Sequence, residues 1–268
     1  TLNGLWSRSG LYIPTSTAKK YGKVLIWYGL SGEGHRKFLA ETFPRPTNWS
    51  HYCSTISETK CNKPDDAAVR SPNLEENGMY FSEGNFTGHF QFTEQNNCTI
   101  NPEECTGPVF APPCSWAFNI DSILFWKNIS GLSMDGPLGH GRYTAQQLQQ
   151  IWRAANATNS DIISYWYEPD PFPLEFSGSN YSFQRVSFPS ETRECLRYRT
   201  IESDRCSADP SKRQGDEKGA CLTETNSLLS VLAKPVTDGG DESTKERVVH
   251  RSPAQDILKH IKISNLDM

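Results

Sequence analysis

Hydrophobic positions recur with helical spacing most clearly at Leu148, Ile151, Trp152 and Ala155, which fall at i, i+3, i+4 and i+7. An amphipathic helix is therefore expected over Thr144 to Ala155, opened by a Thr144/Gln147 capping box. The polar Asn156-Ala-Thr-Asn-Ser-Asp161 reads as a turn, and Ile162-Ile-Ser-Tyr-Trp-Tyr167 as a short strand rich in β-formers. Glu168-Pro-Asp-Pro171 ends that strand, because proline cannot donate to a sheet ladder. Helix, turn, strand and a loop at the strand's carboxyl end make one α/β unit.

Away from this unit the pattern is weaker. Gly4-Leu-Trp-Ser-Arg-Ser-Gly-Leu-Tyr-Ile-Pro14 reads as an aromatic, glycine-rich loop, followed by a short helix and the apolar segment Val24-Leu-Ile-Trp-Tyr28. Residues 43–115 carry five of the eight cysteines among many Pro, Asn and Thr, which describes an irregular, insertion-like region ordered by cross-links. Tyr181 to Phe188 is an extended run, 236–253 a solvated loop, and Ala254 to Ile261 a short helix.

Composition narrows the class. No apolar run approaches the roughly 18 residues that a membrane span needs. The formal net charge is -4 and Lys and Arg are dispersed, so the basic stripe of a nucleic-acid binder is missing. Nothing at Thr1 resembles a charged n-region and an apolar h-region, so any signal peptide is expected to be removed or to lie outside this sequence.

The eight cysteines are Cys53, Cys61, Cys98, Cys105, Cys114, Cys195, Cys206 and Cys221, with no C-x-x-C pair. That spacing disfavours zinc and thioredoxin-like chemistry and favours disulfides formed in an oxidising compartment. Four bridges are expected, mostly within the two clusters, with Cys53–Cys61 and either Cys195–Cys206 or Cys195–Cys221 as the short links. Asn-x-Ser/Thr acceptors stand at Asn48, Asn85, Asn97, Asn128, Asn156 and Asn180, against roughly three expected by chance. Both signals place the chain in the secretory pathway, as a secreted protein or an ectodomain.

Thr144-Ala-Gln-Gln-Leu-Gln-Gln-Ile-Trp-Arg-Ala-Ala155 followed by Ile162-Ile-Ser-Tyr-Trp-Tyr-Glu-Pro-Asp-Pro-Phe172 resembles the second lobe of type II periplasmic-binding proteins of the glycine betaine/choline class. In that family a helix leads into a strand ending in aromatic-x-Pro-His, and the aromatic belongs to a ligand cage. Gly10-Leu-Tyr-Ile-Pro14 is similar to the family's Gly-aromatic-hydrophobic-Pro stretch, and Ala254 to Ile263 to its late helix. The chain departs from the family in Tyr167 for the usual Trp and Asp170 for the usual His, so a one-position shift would put Trp166 in the cage. The first half-lobe has no counterpart, and disulfides and sequons are foreign to bacterial transporters. The resemblance thus implies an eukaryotic extracellular, receptor-like version of the fold.

What it implies for structure is an α/β protein: one or more periplasmic-binding-protein type II-like lobes, a mixed sheet flanked by helices, and disulfide-stapled loop insertions. The whole of 1–268 would be a single, incomplete solute-binding-like domain. Its ligand would be a small molecule, a quaternary amine among the candidates. A quaternary ammonium lacks an N–H to donate, so it is held against aromatic faces worth about 0.5–2 kcal/mol each. The implied ligand-binding residues are Trp166, Tyr167, Glu168, Asp170 and Tyr12. Arg142 and His140, in the loop before the capped helix, would meet an anionic end. Trp166 or Tyr167 should border the principal cleft, near residues 136–143.

An enzyme is disfavoured, because the six histidines lie far apart and neither His-Glu-x-x-His nor Gly-x-Ser-x-Gly occurs. Glu168 and Asp170 flank a proline, and alternate positions of one extended loop seldom face a single bond from two sides. No cofactor or metal is expected, and no membrane insertion within the chain, although tethering to a membrane protein outside it is compatible. The alternatives are a secreted hydrolase and a cell-surface adhesion or structural module. A cleft lined by aromatics supports binding, and a flat glycosylated face supports adhesion.

Overall fold

A computed structural model describes residues 2–55, 79–82, 85–90, 97–116, 118–136, 142–189, 191–222 and 226–229. The chain divides into two compact units. The larger comprises Ser9–Trp166 and Asp170–Thr223; the smaller draws on Thr1–Arg8, Tyr167–Pro169 and the chain from Glu224 on.

In chain order the elements are β1 (Leu2–Pro14), α1 (Thr15–Lys20), α2 (Arg36–Thr42), α3 (Trp49–Thr55), β2 (Met79–Ser82), β3 (Asn85–Phe90) and β4 (Gly107–Phe110). There follow α4 (Ile120–Trp126), β5 (Leu132–Asp135), α5 (Ala145–Thr158), β6 (Ile163–Glu168), β7 (Phe183–Arg185), α6 (Arg193–Tyr198), α7 (Glu202–Arg205), α8 (Pro210–Gln214) and β8 (Asn226–Leu229). The principal sheet has the order β5-β4-β6-β1-β7, with β8 paired to β1 off this path. β4 runs parallel to β5 and to β6, while β7 and β8 are antiparallel to β1. The protein is thus α/β, with a mixed sheet flanked by helices.

The helix and strand expected at 144–155 and 162–167 form nearly as read. Thr144 caps α5, its side chain accepting from Gln147 N–H while Gln147 Oε1 accepts from Thr144 N–H at 2.9 Å. The helix runs three residues further and stops at Asn159, whose left-handed φ of 54° is one that asparagine tolerates. Leu148, Ile151 and Trp152 are buried, and Trp152 stacks on Phe183 at 3.7 Å between ring centroids. The Trp152 indole N–H donates to the Tyr181 carbonyl at 3.1 Å.

Residues 4–14, expected as a loop, are instead strand β1. Leu11, Tyr12 and Ile13 are buried, and sheet pairing overrides the weak local preference of a Gly- and Ser-containing run. Gly10 permits this pairing, since a Cβ there would lie 2.9 Å from Arg185 Nε. The expected irregularity of 43–115 is also partly corrected: it holds α3, the antiparallel pair β2–β3 and the parallel strand β4. Trp49 anchors it, fully buried, with rings of Tyr80, Phe86 and Phe110 4.5 to 5.9 Å away. Its indole N–H donates to Thr158 and Ser160 hydroxyls. Gly88, at φ 70°, lets β3 pass under this tryptophan, because a Cβ there would sit 2.3 Å from the Trp49 carbonyl oxygen. The expected loop 236–253 and helix 254–261 lie outside the described residues.

Three disulfides are described. Cys98–Cys105 and Cys195–Cys221 lie within the two clusters, the second being one of the expected short links. Cys114–Cys206 joins the clusters across 92 positions, which corrects the expectation of a Cys195–Cys206 alternative. Cys61 lies outside the described residues. Asn48, Asn85, Asn128, Asn156 and Asn180 are all exposed, and Asn97 is partly so. Among the described residues no helix is long and apolar enough to cross a membrane.

Tyr181 supplies a test of this packing. Its hydroxyl donates to the Ser160 carbonyl at 3.0 Å. Burial first, and the Asp161 carboxylate second, push its phenol from 10.0 up to about 12, with the neighbouring Ser16 hydroxyl acting the other way. The folded state thus holds this proton more tightly than the unfolded chain. Its contribution to stability is complete below pH 10 and is lost as pH rises towards 12. Denaturant midpoints measured from pH 8 to 11.5 are expected to fall more steeply for the wild type than for Tyr181→Phe; parallel profiles would contradict this.

Candidate functional site

The chain leaves β4 for the edge strand β5 through α4, then crosses back over β4 to β6 through α5. The direction of winding therefore reverses between β4 and β6. In open α/β sheets that switch point, outside the carboxyl ends of the strands, is where ligands collect. β6 is buried along Ile163 to Trp166, and its successive side chains alternate between the two faces.

One face carries Trp166, which is 1% exposed and packs on Phe172 and Phe183, 4.9 and 6.3 Å away. Tyr12, also 1% exposed, lies against Phe183 at 5.7 Å. Trp166, the shifted cage candidate, and Tyr12 are therefore core. Asp170 accepts from Phe172 N–H at 2.9 Å and so fixes the local turn. Tyr167 and Glu168 belong to the smaller unit, where both are half-buried and Glu168 pairs with Arg8. His140 lies outside the described residues.

Arg142 is not an open anion hook. Its Nη2 donates to Asp121 Oδ2 at 2.8 Å, and Arg213 Nε reaches Asp121 Oδ1 at 3.2 Å. Arg213 also donates to the Ser207 and Ala208 carbonyls, tying α4 to the start of α8. The triad is a cross-brace between the N-terminus of α4, the segment that leads into α5, and the cysteine-linked helices.

The opposite face of β6 carries Tyr165. Its ring meets Phe118 at 4.4 Å and Trp116 at 5.8 Å, both in the loop that leaves β4. Cys114 binds this loop to Cys206, and Arg205 Nε donates to the Cys114 carbonyl at 3.1 Å. Arg199 stands within electrostatic reach of Tyr165, Glu191 and Arg205. Burial, and then the Arg205 charge, hold its guanidinium below the ordinary value, with Glu191 and Tyr165 acting the other way. The Glu191 Oε2 atom is buried with no hydrogen-bond partner, a costly state for a carboxylate unless a donor arrives. Aromatic faces, a desolvated cation and an unmet acceptor can together hold a small polar solute.

Sequence reasoning did not single out Trp116, Glu191 or Arg199. The one available signal was position: Trp116 follows the cysteine of a Pro-Pro-Cys-Ser-Trp loop. A separate groove of about 440 Å³ lies between α4, β5 and α8, lined in part by Leu124, Phe125, Asn128, Met134 and Arg213.

Fold and cross-links define a disulfide-stapled α/β protein. No family model matches the chain, and no curated protein or solved structure is found similar to it.

Proposed function

We propose that this chain is an extracellular solute-binding domain, non-catalytic, that holds a small zwitterion beside the half-buried Trp116. The observation that carries the reading is the Trp116–Tyr165 ring contact next to the β4/β6 reversal, with Arg199 in electrostatic reach of Tyr165 and of Glu191, whose Oε2 is buried without a hydrogen-bond partner. Arg199, which already faces Glu191, suits a carboxylate through its charge and its fork of N–H donors. Glu191 suits an ammonium that can donate. The aromatic rings take the apolar body.

The same chemistry refines the ligand class. A quaternary amine has no N–H for Glu191, and choline would bring a cation without a carboxylate to Arg199. Amino acids fit better than betaine, and betaine better than choline. The likeness to periplasmic-binding proteins, with a second lobe completing the clamp, belongs to this proposal and is supported by the capped helix–strand unit. Placement in the secretory pathway is supported by the intramolecular disulfides and exposed sequons.

Calorimetry with a panel of amino acids, betaine and choline is the test. At least one amino acid is expected to bind, with Trp116→Ala and Arg199→Ala each weakening it about tenfold or more, the equivalent of ~1.4 kcal/mol. Trp126→Ala should leave it unchanged. Binding by none of the panel, or binding indifferent to both substitutions, would remove the proposal.

A further inference from the structure

The groove between α4, β5 and α8 has an exposed aromatic rim. Phe125 is 51% and Trp126 36% exposed, their rings packed edge to face at 4.9 Å. The Trp126 indole is fixed by donating to the Gln214 carbonyl at 3.1 Å. Apolar surface this open on a secreted protein calls for a cover.

The chain carries its own attachment point at that rim. Asn128-Ile-Ser130 is a sequon, and Asn128 and Phe125 line the same groove. Asn128 N–H donates to the Phe125 carbonyl at 3.1 Å, and Asn128 has φ 51°. This turn brings the acceptor asparagine back beside the ring three residues earlier. Ile129 between them is buried and pins the turn, its N–H bonded to the Leu124 carbonyl at 2.8 Å. Ser130 Oγ, also at the groove, is buried with no hydrogen-bond partner. Asp121, Arg213 and Gln214 add polar groups to an otherwise apolar lining.

We propose that the glycan on Asn128 is seated in this groove, with its first N-acetylglucosamine lying on the Phe125 ring. One face of that sugar presents axial C–H bonds, which an aromatic face accepts, while its hydroxyl and acetamido groups point to the polar lining. The groove's volume lies within the roughly 300–1,000 Å³ that small groups occupy in proteins. Attachment forms a bond from Asn128 Nδ2 to the sugar C1; the lipid pyrophosphate that carried the oligosaccharide leaves, and the amide gives up a proton. The inference rests on the secretory placement above and adds a structural task for one particular glycan.

The test uses the full chain secreted from glycosylating eukaryotic cells. Glycopeptide mass spectrometry should find Asn128 occupied. Trimming the glycans to a single N-acetylglucosamine should leave the melting temperature unchanged. Ser130→Ala, which removes the glycan and keeps Asn128, should lower it by about 3 °C, the size of one modest contact in a chain of this length. The same variant made without glycosylation reports the cost of the substitution itself and should show no such drop. Phe125→Ala and Ser130→Ala should not add, because each removes the same contact. Additive losses, or an unoccupied Asn128 beside glycosylated neighbours, would overturn this inference alone. A chain with every sequon bare would overturn the secretory placement as well.

Discussion

Trp49→Ala is expected to cost about 4 kcal/mol, the range for deleting a buried aromatic without collapse of the site. Trp49 is fully buried and touches the rings of Tyr80, Phe86 and Phe110. It is also the residue through which α3 meets the β2–β3 pair on one side and the end of α5 on the other. Those elements cannot close over the gap, because the β3 backbone at Gly88 already runs against the Trp49 backbone. Against a typical domain stability of about 5–15 kcal/mol, such a loss lowers the thermal midpoint by roughly 10 °C. Leu174→Ala, at a 62% exposed position, should change it little. Near-ultraviolet circular dichroism melts of the two variants check the contrast, and equal midpoints would contradict it.

Removing the disulfides one pair at a time is expected to produce a ranking set by the span each one closes. Loss of Cys114–Cys206, 92 positions apart, should cost about 4–5 kcal/mol. Loss of Cys195–Cys221, 26 apart, should cost about 3–4 kcal/mol, and of Cys98–Cys105, 7 apart, about 2–3 kcal/mol. The reason lies in the unfolded chain, which regains more freedom when a longer loop is opened. Serine replacements of each pair, compared by guanidinium midpoints, test the order. A Cys98–Cys105 variant less stable than the Cys114–Cys206 variant would show that native packing, not loop closure, governs these bonds.

The α5–β6 unit could be read because its signals are local. A capping box and an i, i+3, i+4, i+7 stripe are complete within fifteen residues, and they need nothing from the rest of the fold. β1 was hidden for the opposite reason: its pairing partners are β7 and β8, both far along the chain. The burial of Trp166 was hidden for a different reason. Ile163 to Trp166 are all buried, as is usual for a strand covered on both faces, so no polar alternation marks which residues face which layer. Which layer Trp166 faces is therefore not encoded in this run. The Arg142–Asp121–Arg213 brace likewise joins three segments whose proximity no spacing predicts.

The register of β1 has a consequence for the birth of the protein. Tyr12 pairs with Arg185, and Arg185 Nη2 reaches back 176 positions to the Ser9 carbonyl. At about 5–20 residues per second, a ribosome needs roughly 10–35 s to supply that partner. During this interval the opening segment, Leu11 to Ile13 included, has left the ribosome with its apolar side chains uncovered and no antiparallel neighbour to adopt. The sequons at Asn48 and Asn85 emerge within the same interval, before the strand on which the sheet closes is in place. A hydrophobic strand that waits for so distant a partner is a natural holding site for chaperones.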